Sequence, residues 1–280
     1  MILGGSGMIG HQIYQHLKSF SEYQIVIQHN KNSFFKNSVS IDFFNLIKLK
    51  EFILTEKPNF IINCSGILIE DSESDLKKAI YLNAYVPHQV KDLANSFGCK
   101  MIQISTDCVF SGQNGPYDEN DARDGFSNYS VTKGLGEIND EFNLTLRTSV
   151  IGPDLKQNSP ELFHWFLNQK DSINGYSQSI WSGVTSFQFA KSLKEFLDSN
   201  AIGIHHVASA TPISKFKLLH LLENYFNKGI KIQKVDGPIS NKSLKCSSKE
   251  IQLNIPSYDL MIEELYNKTI SNIKYSHYFK

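Results

Sequence analysis

Tyr129 and Lys133 stand four residues apart in Tyr129-Ser130-Val131-Thr132-Lys133, a spacing that on a helix puts a phenol and an ammonium on one face. At about 4 Å and an effective dielectric of about 20, that charge would favour phenolate by roughly 4 kcal/mol, on the order of 3 pKa units. This would bring a tyrosine toward neutrality, where it can donate a proton. The spacing alone discriminates poorly, because Tyr14 and Lys18 repeat it; that earlier pair reads as a core tyrosine and a solvated lysine. Position separates the two. Tyr129 follows a strand ending Ile104-Ser105-Thr106-Asp107 and a long loop, so it returns to the carboxyl end of a parallel sheet, where ligands collect. Thr106 is placed there to hydrogen-bond a carbonyl and orient it for Tyr129, with Ser105 the weaker candidate. The plain alternative is a hydroxyl-rich turn.

The chain opens with Gly4-Gly5-Ser6-Gly7-Met8-Ile9-Gly10. Gly4, Gly7 and Gly10 keep a GxxGxxG spacing between a strand and a helix, and the amides from Gly7 through Met8, Ile9 and Gly10 suit a pyrophosphate at a helix N-terminus. Gly7 is expected to lack a side chain because the ligand passes there. Loop and tyrosine–lysine helix together describe a nicotinamide-dependent enzyme. At the second strand end, Gln28-His29-Asn30-Lys31-Asn32 holds no acid for ribose hydroxyls, and Lys31 can meet a 2′-phosphate. NADP(H) is favoured, with NAD(H) possible. Asp42-Phe43, ending the third strand, is placed to contact adenine or is an ordinary turn. Asn83, polar within an apolar helical stretch, either holds a water beside Lys133 or bonds backbone.

These residues need a scaffold. Met1–Leu3, Tyr23–Gln28, Val39–Ile41, Phe60–Cys64, Lys100–Ser105 and Leu144–Ser149 read as strands. Helical patterns follow Gly7 and cover Leu46–Thr55, Leu76–Phe97 and Tyr129–Phe142. The alternation predicts an α/β fold, a Rossmann-type doubly wound parallel sheet. Residues 1–150 are expected to form the nucleotide-binding domain and 151–280 mainly a smaller C-terminal substrate-binding lobe, with about 183–208 returning to the sheet. Asn174–Thr185 reads as a loop, and helices are expected near Pro160–Gln169, Ser214–Phe226 and Tyr258–Ile270. Only three residues precede Gly4, fewer than the five or six usual for a buried strand; the expectation is a late start or the loss of a few residues.

Composition narrows the ligand. Lysine plus arginine equals aspartate plus glutamate at 28 each, so no global field gathers nucleic acid or an anionic membrane. Arg123 and Arg147 are the only arginines, which leaves anion recognition to lysines and backbone amides. Cys64, Cys99, Cys108 and Cys246 form no CxxC pair or ligand spacing, so no metal site is expected and free thiols in a reducing cytosol fit best. No apolar run has membrane-spanning length, and the start lacks the features of a signal peptide; a cytoplasmic protein is expected.

At these residues the chain resembles the extended short-chain dehydrogenase/reductase superfamily, and within it the dTDP-4-dehydrorhamnose reductase-like branch. The resemblance is carried by Gly4–Gly10, Asn63-Cys64-Ser65, Leu82-Asn83-Ala84, Ser105–Gly112, Tyr117-Asp118-Glu119, Tyr129–Lys133 with Glu137, and Leu146-Arg147-Thr148. Trp181–Thr185 and Ile213-Ser214-Lys215 are similar to segments of a bacterial surface-polysaccharide subgroup. It implies a nucleotide-sugar substrate whose keto carbon, commonly C4, receives hydride while Tyr129 protonates the oxygen. It also implies that Lys133 holds the nicotinamide ribose, that Thr106 positions the carbonyl, and that Cys64, Ser65 and Asn83 line the cofactor. A homodimer is possible. Sugar 4,6-dehydratases of the superfamily usually carry Asp-Glu after the strand-end threonine, whereas Asp107 is followed by Cys108, which argues for a reductase. The loop before Tyr129 lacks a common proline, and Lys242 and Lys245 stand where arginines often grip nucleotide phosphates. An epimerase that retains its cofactor and a cofactor-binding regulatory subunit are the alternatives.

Overall fold

The computed structural model describes residues 1–30, 34–247 and 251–279. The chain runs β1 (Ile2–Leu3), α1 (Met8–Leu17), β2 (Ile27–His29), β3 (Ser38–Ser40), α2 (Leu46–Glu56), β4 (Phe60–Asn63), α3 (Ile69–Ser74) and α4 (Leu76–Ala79). A π-helical turn, Ile80–Tyr85, joins α4 to α5 (Val86–Asn95), followed by β5 (Lys100–Thr106), α6 (Asn128–Leu135), β6 (Leu144–Thr148) and β7 (Val150–Ile151). Then come α7 (Leu162–Leu167), β8 (Ser172–Tyr176), β9 (Ser179–Trp181), β10 (Val184–Thr185), α8 (Ser186–Leu197) and β11 (Gly203–Val207). The remainder is β12 (Ile213–Ser214), α9 (Lys215–Phe226), β13 (Lys231–Val235), β14 (Ser240–Asn241), α10 (Tyr258–Ile270) and a 3₁₀ segment, Ile273–Phe279.

Seven parallel strands form the central sheet in the order β11-β6-β5-β4-β1-β2-β3. After β1 the chain steps outward through β2 and β3, then returns to the other side of β1 with β4. The switch point therefore lies between β1 and β4, and the crevice at their carboxyl ends is where a doubly wound sheet takes its ligand. Apolar residues fill both faces, as parallel sheets require. Ile2, Ile62, Ile102 and Leu146 pack into one cluster and Leu3, Ile61 and Met101 into another.

The second strand begins later than its hydrophobic run, at Ile27 rather than Tyr23. Tyr23 stays in the turn after α1, its N–H on the Phe20 carbonyl and its hydroxyl on Asp198 at 3.0 Å. The segment 174–185 is not a loop but three short strands: β8 pairs with β13, β9 with β12 and β14, and β10 with β7. An inward position of β8 is Gly175, packed against Phe216 and Ile232, so hydropathy gives no alternation there. The helix begun at Asn128 stops at Leu135 rather than Phe142. A side chain at Gly136 would lie 1.9 Å from the Asn83 carbonyl, because α6 runs directly onto the π turn.

Candidate active site

The glycine loop links β1 to α1 at the switch point. Gly4 has φ +74°, and a Cβ there would lie 2.9 Å from Ser65 N, so the loops after β1 and β4 touch backbone to backbone. Gly5 needs its bare backbone because Ile27 fills the space, and Gly10 because the Gly4 carbonyl would be 2.5 Å away. Gly7 is different. A Cβ there would meet only the Gly4 carbonyl oxygen, at 3.4 Å, so protein packing does not explain a missing side chain. Gly7 is the N-cap of α1 and makes no side-chain cap bond, which leaves the Met8, Ile9 and Gly10 amides and the positive helix end to an anion. The residues present fit a pyrophosphate. We expect Gly10→Ala to lower the melting temperature, whereas Gly7→Val should melt near wild type and lose about tenfold or more in dinucleotide affinity; calorimetry and a fluorescence titration check both.

The strand-end residues are sorted by their bonds. Ser105, buried, donates to Glu137 at 2.6 Å and is thereby removed from substrate contact. Thr106 accepts the Cys108 amide at 3.1 Å and donates to Asp107 at 3.3 Å, and it stands near enough to the Tyr129 phenol to draw that group's pKa down. Ser127 caps α6 by accepting the Ser130 amide at 3.1 Å, which starts the helix in the register that brings Tyr129 to Thr106. Thr106 and Tyr129 are thus brought together.

Lys133 does not do what the spacing predicts. Its ammonium, buried, donates to the Ile104 carbonyl at 2.8 Å, since a buried amine must find acceptors. Burial pushes Lys133 down to about 8, partly offset by Glu137 and Cys64. Burial, with Cys108 nearby, holds the Tyr129 phenol above its ordinary value, and the neighbouring Thr106 hydroxyl pulls it back only in part. The expected acidification of Tyr129 by Lys133 is therefore corrected: burial raises the phenol, and Tyr129 keeps its proton at neutral pH. The Tyr14–Lys18 pair is structural, as Tyr14 packs on Phe35 and Lys18 lies over its ring at 5.6 Å.

Around Lys133 lie Cys64, whose thiol burial pushes up to about 12, and Gly66, where a Cβ would sit 3.9 Å from Nζ and 2.8 Å from Asn83 Oδ1. Asn83 occupies the π turn and is 1% exposed. It accepts the Ile67 amide at 2.9 Å and donates to Ile67 O, Ser72 and Thr132. Of the two readings of Asn83, the backbone-bonding one is what its side chain does: it anchors the loop after β4. Ser65 is turned inward onto Asn63.

At Asp42-Phe43 the strand end forms a turn, the plainer of the two readings. Phe43 is buried in the core, while exposed Phe44 stacks on Tyr81 at 4.8 Å. Asp42 is exposed and accepts the Phe44 amide at 3.0 Å. Lys31 lies outside the described residues.

The sequence reading gave no role to Lys215, at the start of α9. Its ammonium lies 6.0 Å from the Trp181 ring centre, held down by burial and drawn up by Asp107 and Cys108. Asp107, buried, is pushed up by burial and pulled back by Lys242 and Lys215. Two lysines thus gather near the Thr106–Tyr129 pair, whereas Lys245 is exposed with its backbone bonded to Tyr117 and His206.

A switch-point glycine loop and a tyrosine–lysine helix beside a strand-end threonine define a Rossmann-type protein of the extended short-chain dehydrogenase/reductase class. The family profile described as RmlD substrate binding domain matches residues 1–231, and the chain belongs to that family. It is 24% identical over 244 residues to "Methionine adenosyltransferase 2 subunit beta" of Xenopus tropicalis, covering 81% of this chain and 72% of that one. It is also 24% identical over 218 residues to the spore coat polysaccharide biosynthesis protein SpsK of Bacillus subtilis, covering 75% of this chain and 73% of that protein. The fold matches the dTDP-4-dehydrorhamnose reductase of Bacillus anthracis, solved in complex with NADP, at a TM-score of 0.81 and 20% identity, over 96% of this chain and 98% of that one.

Proposed function

We propose that this chain is an NADP(H)-dependent reductase of a nucleotide-linked 4-keto deoxysugar, serving surface-polysaccharide precursor synthesis. The observation that carries the reading is the convergence at the carboxyl end of β5 of Thr106, of the Tyr129 phenol on which it acts, and of the Lys133 ammonium bonded to Ile104 on the same strand. The similarity to SpsK and to a reductase solved with NADP supports the substrate class and the cofactor. The dinucleotide supplies the hydride. The chain does the rest: α1 and Gly7 bind the pyrophosphate, Lys133 holds the nicotinamide ribose, Thr106 donates to the sugar carbonyl, and Tyr129 gives its proton to the same oxygen. Lys215 and Lys242 are placed to meet the substrate's phosphates as point charges. A second copy would cover the apolar side chains of Leu76, Ile80 and Tyr85 and of Val131 and Leu135 on adjoining α6, all exposed; a light-scattering mass of one chain would count against a dimer.

The test is reduced cofactor with a panel of nucleotide-linked keto sugars, with cofactor oxidation followed optically. Turnover of a 4-keto sugar is expected, and oxidation with no sugar in the panel would count against the reading. Lys133 adds a pH signature. Its proton affinity is lowered to about 8, so it is an ammonium below that pH and loses its charge above it. We expect kcat/KM for reduced cofactor, which reports the free enzyme, to hold level below about pH 8 and fall above it. A profile flat to pH 10 would remove the ammonium from the reaction.

The similarity to an adenosyltransferase beta subunit favours a second reading, a cofactor-binding subunit of another enzyme. Co-purification of a partner enzyme, with no turnover of any keto sugar, would select it.

A further inference from the structure

The C-terminal segment ends on the cofactor loop. Tyr275, 0% exposed, lies 264 residues from His11, and the two side chains meet at 2.9 Å between the tyrosine hydroxyl and His11 Nε2. The other ring nitrogen, Nδ1, lies 2.9 Å from the Gly7 carbonyl oxygen. Because that carbonyl only accepts, Nδ1 carries the proton and Nε2 presents a lone pair. The Tyr275 hydroxyl donates to it, as does the Gln12 side-chain amide at 3.1 Å, and the hydroxyl in turn accepts from Gln12 at 2.6 Å and Gln15 at 3.2 Å. Burial keeps His11 down at about 4, so this tautomer is the neutral one throughout the physiological range.

The Gly7 carbonyl already accepts the His11 amide at 3.0 Å as the first turn of α1. The imidazole adds a second donor to the same oxygen. A trans peptide is planar, with its C=O and N–H pointing in opposite directions; holding the Gly7 carbonyl therefore aims the Met8 N–H out of the helix end. That N–H is the first of those left free at an N-cap without a side-chain acceptor.

We propose that His11, held by Tyr275, is a positioning residue for the dinucleotide: it fixes the Gly7–Met8 peptide so that the Met8 amide faces the bound pyrophosphate, making the C-terminal segment part of the cofactor site. This rests on the glycine loop being a dinucleotide site. Tyr278, in the same segment, reaches elsewhere, accepting the Asp154 amide at 2.9 Å, and it provides the control.

The experiment compares His11→Ala, Tyr275→Phe, their double variant and Tyr278→Phe in the full chain, titrating each with NADPH and NADH and melting each. Tyr275→Phe keeps the ring and its packing, so it folds. His11→Ala and Tyr275→Phe are each expected to weaken cofactor binding about five- to tenfold. The double variant should lose no more than His11→Ala alone, since the two act through one bond chain. The KM for cofactor should rise while kcat at saturating cofactor and the KM for the sugar nucleotide stay within about twofold, a split that mere loss of stability would not give. Tyr278→Phe should bind as wild type does. Equal affinity in all variants, or equal loss in Tyr275→Phe and Tyr278→Phe, overturns the inference and leaves the loop reading intact. If the wild-type chain binds neither dinucleotide, the loop reading falls and this inference with it.

Discussion

Tyr129→Phe is expected to lower kcat by roughly 100- to 10,000-fold, the range that positioned proton donors contribute, while cofactor affinity stays within about twofold. Burial holds the phenol above its ordinary value, so it keeps its proton, and Thr106 lies near it. A donor with a raised pKa is a weak acid, yet the oxygen it serves becomes an alkoxide as hydride arrives at the carbon. An alkoxide is a stronger base than phenolate, so in the proposed reaction the O–H bond of Tyr129 would break and the proton would move to the sugar oxygen. Phenylalanine retains the ring packing and removes only that proton. Rapid-mixing measurements of cofactor oxidation give kcat free of product release; equal rates in both proteins would show that the proton comes from elsewhere. Thr106→Val should cost less, because it orients the carbonyl without supplying the proton.

Glu137→Gln is expected to destabilise the fold by about 3 to 5 kcal/mol, the usual cost of breaking a buried ion pair from one side. In a chain of this size that is roughly 10 °C in melting temperature. Both arginines of the sequence bind this one carboxylate. Arg147 does so bidentately, at 2.8 Å from Nε and 2.8 Å from Nη2, and Arg123 at 3.3 Å. The Glu137 and Arg147 side chains are only 1% and 3% exposed, so glutamine would leave a guanidinium against the Phe110 ring, 5.1 Å away, without its counter-charge. Ser105 bonds the same carboxylate, which ties the ion pair to the strand end that carries Thr106. Adding Arg147→Met to the Glu137→Gln variant should recover part of the loss, because it removes the stranded charge. A single-variant melting temperature within about 3 °C of wild type would mean that the pair contributes little.

The sheet was legible in the sequence because short β-rich runs alternate with helical patterns: Phe60–Asn63, Lys100–Thr106 and Leu144–Thr148 form close to where that alternation places them. The glycine loop was legible because its spacing requires both a strand before it and a helix after it. Other features depend on distant partners. β8 to β10 exist through pairing with segments far along the chain, and β8 turns a glycine inward. The π turn that carries Asn83 looks like ordinary helix, and only the close approach at Gly136 marks it. Spacing put Lys133 beside Tyr129, but the Ile104 carbonyl that captures its ammonium belongs to a neighbouring strand. His11 and Tyr275 carry no joint signal at a separation of 264 residues. The faint clue was a histidine inside the first turn of a cofactor helix. The scarcity of arginine was visible; that both arginines serve one glutamate was not.

The central claim is net reduction of a sugar carbonyl with Tyr129 as proton donor. Its most direct test is one incubation of the protein with NADPH deuterated at the transferable position of the nicotinamide and a nucleotide-linked 4-keto-6-deoxysugar, with mass spectrometry of the sugar. The expected result is one deuterium at C4 for each cofactor oxidised, lost when phenylalanine replaces Tyr129. A sugar that turns over without gaining deuterium, or with no net oxidation of the cofactor, would contradict it.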